Sequence, residues 1–96
     1  MPFITSKKLI GLAVFTESGI HLGKVTDLEI DIEAQAILRY VVKGRLGGIM
    51  TKDLIVSVSE VISISSEKMV VRDGRERELA ARNKKLAAMN PETSGI

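Results

Sequence analysis

Apolar residues between Gly11 and Arg72 come in short runs, most of them alternating with polar ones, and each run ends in a turn-forming segment. The turn signals are Glu17-Ser18-Gly19, Glu33-Ala34-Gln35, Gly44 to Gly48 and Ser65 to Lys68. They leave candidate strands over 11–15, 22–32, 36–43, 54–58, 61–64 and 69–72, the spacing of a small all-β sandwich or barrel. From Arg75 to Met89 the pattern changes to Ala, Leu, Arg, Lys and Glu with no β-branched residue, and Glu78 and Arg82 stand at helical spacing. This stretch predicts a helix ended by Asn90-Pro91, with Leu79, Leu86 and Met89 as a narrow apolar stripe. So short a stripe is marginal for an isolated helix and leaves it to dock, self-associate or fray.

Alternation also predicts faces and register. In the second run Thr26, Leu28, Ile30 and Ile32 share an oily face while Asp27, Glu29, Asp31 and Glu33 share an acidic one; in the third, Leu38, Tyr40 and Val42 oppose Arg39 and Lys43. Two antiparallel registers match apolar with apolar and acid with base. One sets Ile30 opposite Tyr40, Asp31 opposite Arg39 and Asp27 opposite Lys43; the other sets Ile30 opposite Leu38 and Glu29 opposite Arg39. The last two runs predict a hairpin with Ile64 opposite Met69 and Ile62 opposite Val71. Short strands with one oily face favour closure into a barrel, which removes exposed edges.

Composition sharpens this picture. The 96 residues suit one domain and contain no cysteine, which excludes disulfides and thiolate metal cages. Only 3% are aromatic, so the core must be aliphatic and a surface of stacked aromatics is not expected. All Val and every Ile except Ile96 precede Arg72. Residues 1 to 71 carry eight basic and eight acidic side chains, so the net charge of +2 belongs to residues 72 to 96. The division expected is a barrel domain over 1–74 and a charged helical tail, partly disordered or docked, over 75–96.

No run reaches the roughly 18 to 20 apolar residues that span a bilayer. Lys7-Lys8 followed by Leu9 to Phe15 imitates a short signal peptide, but Thr16-Glu17-Ser18-Gly19 supplies a turn where a small-residue cleavage site belongs, and a cytoplasmic protein is expected.

Chemistry-bearing residues are few. His21 is the single histidine, sits in a turn, and has no nucleophile context, so it reads as an exposed polar residue and no catalytic group is assigned. The ladder Asp27, Glu29, Asp31 and Glu33 spans roughly 20 Å along a strand, too far to converge on one ion, and reads as a solvated face paired with Arg39 and Lys43. Gly44-Arg45-Leu46-Gly47-Gly48 lacks the glycine-lysine-hydroxyl ending of a phosphate loop. Its apolar neighbours Leu46, Ile49 and Met50 are candidate partner-binding residues, as are Leu79, Leu86 and Met89. Arg75, Arg77, Arg82, Lys84 and Lys85 are candidate contacts to RNA or another anion, although Asp73, Glu76 and Glu78 interleave with them and no aromatic residue lies among them.

Three strings carry a family resemblance. Leu9-Ile10-Gly11-Leu12-Ala13-Val14-Phe15-Thr16-Glu17-Ser18-Gly19, then Leu22-Gly23-Lys24-Val25-Thr26-Asp27-Leu28-Glu29-Ile30-Asp31, then Ile37-Leu38-Arg39-Tyr40-Val41-Val42 resemble the opening of a PRC-barrel domain. Val61-Ile62-Ser63-Ile64 and Met69-Val70-Val71 are similar to its closing hairpin. The resemblance covers about residues 7 to 72 and implies a six-stranded β-barrel. It further implies a binding or assembly module, as in the photosynthetic reaction-centre H subunit and a small-subunit ribosome maturation factor, with no catalytic motif and no cofactor. The chain differs from the first in lacking a membrane-length apolar run, and no domain ahead of the barrel is expected as in the second. The functional expectation is a non-enzymatic adaptor that binds protein partners and forms a homodimer. The alternative is an RNA- or ribosome-associated assembly factor using the basic tail, and an enzymatic class would require His21 in a pocket with a hydroxyl or carboxylate partner.

Overall fold

The computed structural model describes residues 2–79. Leu86, Met89, Arg82, Lys84 and Lys85, together with most of the expected helix, lie outside the described residues. The chain opens with a single helical turn, α1 (Ser6–Leu9), ahead of the first expected strand, which itself begins at Ala13 and not at Gly11. The hydroxyl of Thr5 accepts from the Lys8 backbone N–H at 3.4 Å, and Leu9 and Leu12 turn their side chains into the core. Seven strands follow: β1 (Ala13–Thr16), β2 (His21–Asp31), β3 (Ala36–Leu46), β4 (Ile49–Met50), β5 (Leu54–Ser57), β6 (Val61–Ile64) and β7 (Lys68–Val71). Six of them answer to the six alternating runs, and β4 is a two-residue extension that pairs with the end of β3. The fold is all-β.

Strand order across the sheet is β6-β7-β1-β2-β3, with β4 and β5 both paired to β3. The first strand pairs in parallel with the last, Val14 facing Met69, so the remaining strands form one long crossover between them. Alternate residues of the strands converge on an aliphatic core of Val14, Leu22, Val25, Val42, Leu54, Val56, Met69 and Val71, with Tyr40 at its margin.

Two of the expected pairings need correction. The β2–β3 hairpin follows the second register over its middle, with Leu28 opposite Tyr40 and Glu29 opposite Arg39, and the first register is absent. Bulges on either side, between Val25 and Asp27 and between Glu29 and Ile30, then shift the pairing by one residue. Val25 therefore meets Val42 in the core although the two differ in parity, and Ile30 meets Ile37 instead of Leu38. In the β6–β7 hairpin Ile64 does face Met69, but a bulge at Ile62 puts Val61 opposite Val71.

Contrary to the expected closure, the sheet is open among the described residues: no β5–β6 ladder completes the ring. A 3-10 turn at Val58–Glu60 carries the chain from one edge strand to the other, held by Ser57 donating its backbone N–H to Glu60 Oε1 at 2.9 Å. Arg75 fills the seam: Nη1 donates to both carboxylate oxygens of Glu60 at 2.6 and 2.7 Å, and Nη2 to the Ile55 carbonyl at 2.9 Å and Glu78 Oε1 at 3.1 Å. A guanidinium can satisfy an edge carbonyl and a carboxylate together because its donors are fixed in one plane.

Residues 75–79 are helical, and Leu79 is completely buried against the barrel. The first helical turn beyond residue 74 thus reaches the core through Leu79.

Candidate functional site

The β3–β4 turn is built for display. Gly47 and Gly48 have φ of 59° and 82°, the double positive φ of a tight two-residue hairpin turn that other residues enter at a steric cost. Leu46 opposite Ile49 closes the turn, and Arg45 opposite Met50 continues it. Leu46 is half-buried against the core, whereas Ile49 and Met50 are 59% and 55% exposed. Of the apolar candidates, these two therefore stand at the surface with Leu46 supporting them. Leu79 does not: it lies in the core with its side chain against Gly44, so the apolar stripe loses one of its members to packing.

A second apolar surface was assigned inward by the alternation pattern. The far end of the β2–β3 hairpin projects past the core, leaving Ile30, Ile32 and Leu38 56%, 87% and 43% exposed. On the acidic side of the same hairpin, Glu29 accepts from Arg39 Nη1 at 2.7 Å. Asp27 instead accepts from the Leu28 N–H, and Asp31 from the N–H groups of Glu33 and Ala34 in the turn. The ladder is spent on local backbone and one ion pair.

Arg75 is a structural residue here, not a free anion contact, because its guanidinium is committed to Glu60, Glu78 and Ile55. Arg77 is exposed. Its charge adds to the forces holding Asp73 ionised. His21 stacks on Phe15 with ring centroids 4.9 Å apart, and its Nε2 is 3.0 Å from the Gly23 carbonyl; neither neighbour is a nucleophile.

The segment that follows β7 is held to the β1–β2 turn by a polar latch. Asp73 Oδ1 accepts from the Ser18 hydroxyl at 2.7 Å and the Ser18 N–H at 2.9 Å, while the Asp73 N–H donates to Glu17 Oε1 at 3.3 Å. Those Ser18 bonds hold the Asp73 carboxyl below its ordinary value of 3.8. For Glu60, burial opposes ionisation, but the Ser57 N–H and Arg75 outweigh it and the carboxyl lies below its usual 4.5. A depressed carboxyl contributes stability that is full above its unfolded value and is lost as pH falls through its folded value. Urea unfolding at falling pH is thus expected to show stability declining below about 4.5, with Glu60→Gln flattening the decline. A profile identical in the variant would remove Glu60 from the account.

One grouping was missed from sequence. A cleft of about 280 Å³ opens where β1, β2 and β3 run side by side, lined by Lys24, Lys43, Arg45, His21 and Met50 over small residues. Lys24 stands directly opposite Lys43. The signal is hidden because the unshifted registers put Asp27 or Val25 opposite Lys43; only the bulge after Val25 brings the two lysines together.

The all-β fold agrees with the match of the PRC-barrel domain family over residues 1–78. The chain belongs to the PRC-barrel family. No curated protein matches it. Among solved structures, this PRC-barrel is similar to the crystal structure of a 16S ribosomal RNA processing protein, RimM, from Pseudomonas aeruginosa. The similarity has a TM-score of 0.59 at 21% identity and covers 79% of this chain and 47% of that one, so the PRC-barrel spans about half the length of that protein. No helix among the described residues is long and apolar enough to cross a membrane.

Proposed function

We propose that this PRC-barrel is a non-enzymatic adaptor of the cytoplasm that binds protein partners, a second copy of itself included, through its exposed apolar surfaces. The observation that carries this reading is the uncovered end of the β2–β3 hairpin, where Ile30, Ile32 and Leu38 all meet solvent. Patches of this kind rarely persist on a soluble surface without a use. Ile49 and Met50 on their rigid turn offer a second contact, backed by Leu46. With Leu79 drawn into the core, self-association no longer rests on the Leu79/Leu86 stripe. Pairing of two copies along the free edge of β2 is disfavoured, since Asp27, Glu29 and Asp31 would face their own counterparts; face-to-face packing of the apolar side avoids this.

Sedimentation at tens of micromolar is expected to give a mass above the 10.5 kDa monomer, and Ile30→Ser/Ile32→Ser/Leu38→Ser to return it to a folded monomer whose melting temperature no longer depends on protein concentration. A monomeric wild-type chain would sink the self-association reading.

A second reading, an RNA- or ribosome-associated assembly factor, is supported by the exposed cations of the barrel and by the likeness to a ribosomal RNA processing protein. The expected tail contacts are reduced by the internal commitment of Arg75, leaving Arg77 among the described candidates.

A further inference from the structure

The β1–β2–β3 cleft carries charge that the fold itself does not need. Lys24 and Lys43 face each other across an antiparallel pair, an arrangement that destabilises a sheet, and Arg45 lies two residues further along the same face of β3. All three are exposed, and none forms an ion pair among the described residues. Elsewhere two basic residues find carboxylates, Arg39 at Glu29 and Arg75 at Glu60 and Glu78. In the cleft three cations line one surface with no ion pair among the described residues.

We propose that this cleft binds the phosphodiester backbone of a single-stranded nucleic acid. Three considerations select that ligand. Exposed lysines hold a small anion weakly, but a polyanion gains from each cation through release of its condensed counterions, so an open row of cations suits a polymer. A peptide that binds by adding a strand would need a free sheet edge, and along this stretch β1 lies between β2 and β7 while β2 lies between β1 and β3. At the rim, the exposed His21 ring rests on Phe15, with Lys68 Nζ 5.7 Å from the centre of the Phe15 ring, offering a supported flat face on which a base can stack. The inference deepens the second reading above and moves its main contacts from the tail to the barrel. It does not depend on self-association, which the sedimentation experiment tests separately.

The test is fluorescence anisotropy with a 5′-fluorescein-labelled uridine 20-mer and the full chain at 50 to 200 mM salt. Neutralising three phosphate contacts contributes about −2 to the slope of log affinity against log salt for a single strand. The variant Lys24→Gln/Lys43→Gln/Arg45→Gln is therefore expected to show a slope shallower by about 2, so that wild type loses roughly 20-fold more affinity than the variant over that range. The same variant should melt no lower than wild type, because it removes a like-charge pair. His21→Ala should weaken binding without changing the slope. No binding by wild type, an unchanged slope in the triple variant, or equal displacement of the probe by a glutamate 20-mer would each overturn the proposal.

Discussion

Replacing Leu79 by Ala is expected to lower the unfolding free energy by about 2 to 5 kcal/mol, the range for deleting a fully buried leucine side chain. In a domain of this size that corresponds to a fall in melting temperature of roughly 8 °C or more. The expectation follows from a residue that looks peripheral in sequence, one leucine in a charged segment, but is completely buried in the structure beside Gly44. Leu79 packs close to the β3 backbone: a Cβ on Gly44 would meet Thr51 Oγ1 and the Lys52 carbonyl first, and a Leu79 methyl lies 3.1 Å from the same point. Removing the side chain leaves a cavity whose floor is sheet backbone, which cannot collapse onto it without bending β3. Urea titration monitored by circular dichroism measures the change. A loss under about 1 kcal/mol would mean that Leu79 is not part of the core.

The same residue shows why part of the molecule was legible from sequence and part was not. Alternation along β2 and β3 identified the strands and the Glu29–Arg39 pair, because both depend on local period and on complementary charge across a hairpin. It could not register bulges, which cost no recognisable residue type and yet exchange the faces of everything beyond them. Hence Ile30 and Leu38 were assigned to the core, and Lys24 opposite Lys43 went unseen. Arg75 and Leu79 posed a different problem. An arginine in a solvated helix and one closing a barrel seam have the same neighbours in sequence; what distinguishes them here is Glu60, fifteen residues away. Local pattern therefore locates the strands, while the surfaces left exposed depend on where the chain returns to itself.

The Gly-Lys-Val string that carried the family resemblance has a structural cause, and it leads to the other large expected effect. Gly23 adopts φ of 143°, and a Cβ built there would run into the backbone carbonyl of Lys43 on the paired strand. The obstacle is main chain, so no side-chain rotation relieves it: either β2 and β3 separate, or the bulge after Val14 that leads into this crossing is lost. Gly23→Ala is expected to destabilise the protein by roughly 3 kcal/mol or more, combining an unfavourable backbone conformation with the clash. Gly19→Ala supplies the control, because Gly19 also has a positive φ, 95°, but nothing lies within 4 Å of its added Cβ. That variant should lose only the conformational part, about 1 to 2 kcal/mol. If the two alanine variants unfold at the same urea concentration, the strand crossing is not the reason for the glycine. If Gly23→Ala alone collapses the Lys24–Lys43 cleft, the family string is what holds the cationic face in register.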